Sequence, residues 1–277
     1  MPAAADQPPS TPQRALFRLD GRVAVVTGAA GHLGRAIAAG LAEAGARTIL
    51  VGRTEPTLAA FAAELNGRGL VAETAICDVT QAAQIEALVA RIGDSWGGLD
   101  VLVNNAHAGR AGVMADSKKA DYLGAMEIAV AAAAEFVNAA HGLLRQAAAR
   151  NGDAAVINIS SMYGMVSPDP RVYGTSKMNN PPHYGAAKAA LIQYTRYAAC
   201  HLAPDGIRVN AISPGPFPPE AVCERDPGFC GKLMDKVPMG RLGKPDDLKG
   251  AAVFLASPAA RFVTGANLPV DGGWTAW

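Results

Sequence analysis

The sequence is poor in several features, and each shortage closes off a class of protein. Charge of one sign is missing. Across 277 residues, 25 basic side chains stand against 24 acidic ones, a formal net charge of +1. With no basic patch to grip a phosphate backbone, nucleic acid is not an expected partner. Cysteine is scarce: Cys77, Cys200, Cys223 and Cys230 show neither Cys-x-x-Cys spacing nor a histidine cluster beside them. No metal site is expected, and the pattern fits a reducing compartment. Cys223 and Cys230 could pair within one loop, but two free thiols are the plainer expectation. An unbroken hydrophobic run is also lacking. The longest apolar stretch, residues 125–144, is interrupted by Glu127, Glu135, Asn138 and His141. A membrane span there would bury two carboxylates, so a soluble helix is expected. Residues 1–11 are rich in Ala and Pro and have neither the basic start nor the apolar centre of a signal peptide. Residues 1–17 are therefore expected to form a disordered tail, with the cytoplasm as the expected location.

What is present is a large stock of core residues, half of the chain being hydrophobic. Short β-branched runs at 23–27, 48–51, 71–77, 101–104, 156–160, 208–212 and 268–270 show no polar alternation, as expected for strands covered on both faces. Between them lie helical patterns at 33–44, 55–65, 81–92, 118–150, 184–202 and 246–256, with Thr54, Thr80 and Ser117 at expected N-caps. Strand–helix alternation with short connections predicts an α/β fold: a doubly wound parallel sheet in a single domain over residues 18–277, with no internal repeat. Two long irregular pieces, 162–183 and 214–245, follow strands. Both should reach the carboxyl edge of the sheet, where such folds bind ligands.

The first strand leads into Gly28-Ala29-Ala30-Gly31-His32-Leu33-Gly34 and then a helix. Glycines there allow a tight turn and bring a pyrophosphate close to backbone N–H groups at a helix N-terminus. The second strand ends in Gly52-Arg53, where a carboxylate holding ribose hydroxyls would otherwise stand. A guanidinium can pair with a 2′-phosphate instead. NADP(H) is therefore favoured over NAD(H). Asp78 after the third strand is a candidate partner for the adenine amino group or a cap with Thr80. Asn104-Asn105-Ala106 can tie strand ends together beneath the cofactor, or form an ordinary Asx turn.

Thr27-Gly28…Gly34, Asn104-Asn105-Ala106, Ser160-Ser161, Tyr184-x-x-x-Lys188, Arg208-Val209-Asn210-x-x-x-Pro214-Gly215 and Val270-Asp271-Gly272-Gly273 occur in order. In these six motifs the chain resembles the short-chain dehydrogenase/reductase family, in its compact single-domain branch, from about residue 19 to residue 274. The resemblance implies a Rossmann fold, a nicotinamide cofactor, reversible alcohol/ketone chemistry and often a homotetramer. It also implies cofactor contacts from Gly28, Gly31, His32, Leu33, Gly34, Asp78, Val79, Asn105, Ala106, Lys188, Pro214 and Gly215. Two departures stand out. His32 replaces a usual glycine, and the segment 130–134 before Phe136 lacks the Asn that commonly holds a water in the family's proton relay.

Two Tyr-x-x-x-Lys pairs compete, Tyr173…Lys177 and Tyr184…Lys188. Residues four apart on a helix share a face and can bracket one ligand. Asn179-Asn180-Pro181-Pro182 ends any helix after Lys177, whereas apolar residues at helical spacing continue from Lys188. Tyr184 is thus the expected acid/base. A free Tyr has a pKa of about 10, and the Lys188 ammonium should favour the phenolate. Ser161 should hold the substrate oxygen, since strand neighbours point apart and Ser160 then faces elsewhere.

The insert 162–183 offers Tyr163, Asp169, Arg171, Tyr173, Ser176, Lys177, Asn179 and Asn180, groups suited to a hydroxyl-rich sugar, aldonate or polyol. It also resembles a subgroup often assigned to sugar or gluconate oxidation. Tyr163, Tyr173, His107 and Phe217 are the expected substrate contacts, and 214–245 the expected lid. His183, just before Tyr184, stands near the same site, with a structural or solvent role the plainer expectation. A 3-oxoacyl or general ketone reductase, or a cofactor-binding protein with little catalysis, are the alternatives. An enoyl reductase is disfavoured, because that branch spaces its Tyr and Lys more widely. Smooth, Ala-rich helices at 118–150 and 184–202 predict a homo-oligomer.

Overall fold

The computed structural model describes residues 12–109, 111–174 and 179–277. Lys177 and Ser176, like residues 1–11 of the expected tail, lie outside the described residues. The end of that tail, Gln13–Leu16 (α1), is a helical turn.

Seven strands follow: β1 (Val23–Thr27), β2 (Arg47–Gly52), β3 (Ala72–Ile76), β4 (Val101–Asn104), β5 (Ala154–Ile159), β6 (Ile207–Pro214) and β7 (Asn267–Val270). They form one parallel sheet in the order β3-β2-β1-β4-β5-β6-β7. Every residue of β1, β4, β5 and β6 is buried, which is why these runs are largely apolar on both faces, the polar exceptions such as Asn158, Arg208 and Asn210 being paired by hydrogen bonds. The two sides of β1 feed different cores. Ala24 and Val26 join Ile37, Leu41, Leu58, Phe61 and Leu255 on one face. Val23 and Val25 join Ile85, Ile92, Phe136 and Leu144 on the other. The first face is covered by α2 (His32–Glu43), α3 (Glu55–Gly67) and α11 (Lys249–Ala256), the second by α4 (Ala82–Trp96), α6 (Ala132–Asn151) and α8 (Pro182–Leu202).

The expected helix 118–150 is three segments. α5 (Lys119–Met126) runs into a π-helical stretch, Glu127–Ala131, and then α6. By length and composition the run Lys119–Asn151 could cross a membrane. One side of it, through Phe136, Val137, Ala140 and Leu144, is packed into the core, while Glu127 and Glu135 are exposed. Two expected caps are corrected. The N-cap positions are Gln81 and Lys118, because Thr80 is drawn to Asp78 and Ser117 bonds the Val113 carbonyl. Thr54 does stand at the N-cap of α3, without a side-chain cap bond.

The two irregular pieces are not loops throughout. The insert contains α7 (Pro170–Tyr173), and the lid contains α9 (Glu220–Arg225) and α10 (Pro227–Asp235). Cys223 and Cys230 are joined by a disulfide between those lid helices, overturning the expectation of two free thiols. Residues of the insert and lid share a separate small core with Trp274 from the chain after β7: Met162, Tyr163, Val172, Leu233 and Val237.

Candidate active site

The sheet order reverses between β1 and β4, and a cleft of about 440 Å³ opens at the carboxyl ends of these strands. Thr27 ties the strand ends together at this edge. The Thr27 hydroxyl donates to the Val103 carbonyl at 3.2 Å and accepts from the backbone N–H of Asn105 at 2.9 Å and of Ala106 at 3.0 Å. The Asn105 amide donates to the Thr27 carbonyl at 2.9 Å, which pins the β1 turn to the end of β4. A Cβ on Gly34 would stand 2.2 Å from the Gly28 carbonyl oxygen and 2.8 Å from Asn105 Nδ2, so only glycine lets α2 start this close. Gly31 caps α2 with no side-chain bond and no acid occupies its first turn. These helix N–H groups and the open cradle fit the diphosphate of a dinucleotide.

Eleven of the thirteen expected cofactor residues line this cleft: Gly28, Gly31, His32, Leu33, Gly34, Arg53, Asp78, Val79, Asn105, Ala106 and Lys188. The other two do not. Pro214 ends β6 and Gly215 is pressed on the Asp271 backbone, where a Cβ would meet Cα at 2.5 Å. Arg53 sits on the cleft rim beside Thr54 and Thr57, 3.9 Å from an Asp78 oxygen. Asp78 accepts from both the backbone and the hydroxyl of Thr80, which together hold its carboxyl below the usual range, so it closes the turn ahead of α4 without capping the helix.

Tyr184 and Lys188 project from the first turns of α8 into the same cleft. Lys188 Nζ donates to the Ile159 carbonyl at 2.8 Å and lies 5.8 Å from the centre of the Tyr184 ring. Complete burial pushes its ammonium down to about 8. Tyr184 departs from expectation. Burial raises its phenol, and the Ser161 hydroxyl opposes this only in part. Ser160 lines the cleft and its Oγ donates to the Lys188 carbonyl at 2.9 Å, while Ser161, not among the cleft-lining residues, lies beside Tyr184 with its Oγ accepting from the Tyr163 N–H at 3.1 Å.

Behind Lys188 is a cavity of about 10 Å³, bordered by Asn104, Ile128, Ala129 and Ala133, room for about one water. The segment 130–134 that lacks the expected Asn spans the end of the π-helical stretch and the start of α6, where Ala132 and Ala133 border this cavity. His107 meets the Tyr184 ring edge-on at 5.0 Å. Desolvation and the Lys188 charge push the imidazole down to about 4, although the residue as a whole is exposed.

The remaining expected substrate contacts are placed differently. Tyr163 and Tyr173 bond each other through their hydroxyls at 2.8 Å and are part of the insert–lid core. Phe217 is not in the cleft. It lines a separate cavity with Met239 and Arg241 and packs on Gly243, which has no side chain to hold it off. Asp169 is committed to Arg171 and Lys236.

A family model described as enoyl-(acyl carrier protein) reductase matches residues 28–275. The chain belongs to the short-chain dehydrogenase/reductase family. It is 36% identical over 266 residues to galactitol 2-dehydrogenase (L-tagatose-forming) of Cereibacter sphaeroides, covering 95% of this chain and 99% of the relative. It is 32% identical over 260 residues to the rhamnolipids biosynthesis 3-oxoacyl-acyl-carrier-protein reductase of Pseudomonas aeruginosa, covering 93% and 98%. Its fold matches the crystal structure of a gluconate 5-dehydrogenase from Burkholderia cenocepacia in complex with NADP and tartrate. The TM-score is 0.84 at 32% identity, covering 95% of this chain and 99% of that one.

As a short-chain dehydrogenase/reductase the chain is an NAD(P)-dependent oxidoreductase acting on CH–OH groups. Some of this family member's site was missed in the sequence. Asn104 Nδ2 donates to Asn158 Oδ1 and Asn158 Nδ2 to the Thr195 hydroxyl, both at 2.9 Å, a buried chain joining β4, β5 and α8. An Asn inside the otherwise apolar run 154–159 was the available signal. Thr57 on the cleft rim carried none.

Proposed function

We propose that the chain interconverts a secondary alcohol and a ketone, or a hemiacetal and a lactone, on a hydroxylated small molecule of the sugar, aldonate or polyol class, with NADP(H) preferred. The observation that carries this reading is that the dinucleotide cleft and a second cavity meet at Tyr184. A nicotinamide bound in the cleft would supply or take the hydride. Tyr184 Oη takes the proton of the substrate hydroxyl during oxidation and returns it to the carbonyl oxygen during reduction. Ser161 Oγ hydrogen-bonds that same oxygen and holds it in line. Lys188, fixed by the Ile159 carbonyl, presents its charge along the Tyr184 ring and would hold the nicotinamide ribose of a bound cofactor.

The names of the galactitol and gluconate dehydrogenase relatives support the polyol or sugar class, and the Pseudomonas relative supports 3-oxoacyl reduction as the second reading. Enoyl reduction, named in the matching family description, is disfavoured by the four-residue step from Tyr184 to Lys188. A homotetramer is proposed on the exposed apolar residues Leu123 and Met126 of α5, and sedimentation velocity tests it. The cytoplasm is the proposed location; the Cys223–Cys230 bond is the observation against it, and thiol labelling of the protein in fresh cell extract decides. The test of the activity is absorbance at the nicotinamide band with alditols, sugars, aldonates and a 3-oxoacyl thioester as separate substrates. Tyr184→Phe is expected to lower kcat at least 100-fold on the best of them. Full activity in that variant would remove Tyr184 from the chemistry.

A further inference from the structure

Beside the cofactor cleft lies a cavity of about 280 Å³ that shares His107 and Tyr184 with it. Small residues such as Ala111 and Ala125 leave it open, and Asn180 and His183 supply its remaining polar walls. Among the described residues, the buried side-chain atoms with no hydrogen-bond partner are Asn180 Oδ1 and His183 Nδ1. Both belong to this one cavity, next to the proposed acid/base.

Leaving a buried polar atom unpaired costs about 1–3 kcal/mol, and the surrounding fold avoids that cost elsewhere. Tyr163 and Tyr173 satisfy each other, and Asn104, Asn158 and Thr195 form a closed chain. The Asn180 main chain is moreover held firmly. Its N–H donates to the Tyr173 hydroxyl, and the carbonyl of Asn179 accepts from Gly112 N at 2.8 Å. So the peptide unit that enters Asn180 is held through both its N–H and its carbonyl, and the side-chain oxygen is still left unmatched. The side chains of Asn180 and His183 are only half-buried, and their terminal torsions are broad and soft. A small rotation therefore presents each stranded atom to a ligand in the cavity. An amide oxygen accepts from a hydroxyl, and an imidazole nitrogen accepts or donates according to tautomer.

We infer that Asn180 and His183 are the specificity pair of this enzyme, hydrogen-bonding hydroxyls on the carbons flanking the one that reacts at Tyr184. The inference rests on the alcohol-oxidising reading above and narrows its substrate to molecules with hydroxyls next to the reacting carbon. A site built to pair with a hydroxyl discriminates strongly against an analogue without it, because its own polar groups are then stranded.

The test compares kcat/KM for the best of galactitol, D-threitol and sorbitol with kcat/KM for 2-butanol. In Asn180→Leu and in His183→Leu the alditol-to-butanol ratio is expected to fall 10- to 100-fold, and His183→Asn, which keeps a polar atom near Nδ1, to restore most of it. A merely structural role would lower both substrates together and leave the ratio alone. Asn180→Ser is the milder replacement should the leucine variant fail to fold. NADPH fluorescence titration reports whether the cleft is intact. An unchanged ratio in folded variants of an enzyme that oxidises alditols overturns the pair and leaves the function standing. A wild type that oxidises no alditol but reduces a 3-oxoacyl thioester overturns the function, and the pair with it.

Discussion

Lys188 carries an electrostatic penalty of burial, and the penalty can be measured. Its ammonium is buried and drawn from the ordinary 10.5 to about 8. For a base depressed by folding, the unfolded chain holds the proton more tightly. The cost of burial is therefore present in full below about pH 8 and is relieved as the pH rises through that value towards 10.5. The interval corresponds to about 3 kcal/mol. Lys188→Met lacks the titrating group, so urea unfolding should show the wild type gaining about 3 kcal/mol on the variant between pH 7 and 10.5. A pH-independent difference would mean that Lys188 is not desolvated. Arg53 is the opposite case, a guanidinium with 67% of its side chain exposed and only a 3.9 Å contact to Asp78. Arg53→Ala should weaken NADP(H) binding roughly tenfold at low salt and less at high salt, leaving NAD(H) unchanged. Preference for NAD in the wild type, with no effect of the substitution, would end the 2′-phosphate argument.

Elements were legible where local pattern governs them. The runs 23–27 and 101–104 coincide with β1 and β4 because burial on both faces requires continuous apolar residues. The Tyr184 helix was legible because Pro181 and Pro182 forbid continuity with the insert and permit a start. What failed depends on contacts distant in sequence. Thr80 and Ser117 have cap chemistry, but Asp78 and Val113 claim their hydroxyls. Tyr163 and Tyr173 look like substrate contacts until nine intervening residues fold them onto one another. The lid disulfide belongs to the same class, since the cysteines stand seven positions apart and only the α9–α10 turn brings them together. That bond staples α10, whose Phe229 packs on Tyr173 at 5.6 Å and whose following Lys236 pairs with Asp169. Closing so short a loop stabilises by roughly 2 kcal/mol. Cys223→Ser/Cys230→Ser, or reduction of the wild type, should lower Tm and raise KM for the alcohol several-fold while sparing cofactor affinity. Identical KM and Tm with and without reductant would show that the lid holds its shape unaided.

Across the whole molecule, stability and chemistry sit at opposite edges of the sheet. The cleft occupies the carboxyl edge; at the amino edge Asp153, just before β5, accepts from Arg22 NH2 at 2.8 Å and Arg208 Nε at 2.9 Å. All three are buried, and Arg208 also donates to the Leu255 carbonyl at 2.8 Å. The motif Arg208-Val209-Asn210, legible in the sequence only as a resemblance, is thus a clamp: Arg208 joins β5, β6 and α11, and Asn210 holds the Val263 carbonyl at 2.8 Å and the Ala266 N–H at 3.0 Å. Burial pushes the Asp153 carboxyl up, but the two guanidinium groups outweigh it and hold it below the usual range. A depressed carboxylate contributes its stability above the unfolded value of about 4 and loses it only as the pH falls through the lower folded value. Asp153→Ala would strand two buried cations at a cost of about 3–5 kcal/mol, whereas Asp153→Asn keeps acceptor geometry on one side and should cost less. Because the clamp is an entire strand length from Tyr184, folded Asp153→Asn should keep the wild-type KM for alcohol and cofactor while its Tm drops, and the drop should shrink in acid as the wild-type carboxylate titrates. Scanning calorimetry from pH 3 to 7 with parallel kinetics checks both halves. A change in KM without a loss of Tm would place Asp153 in the chemistry rather than in the frame that carries it.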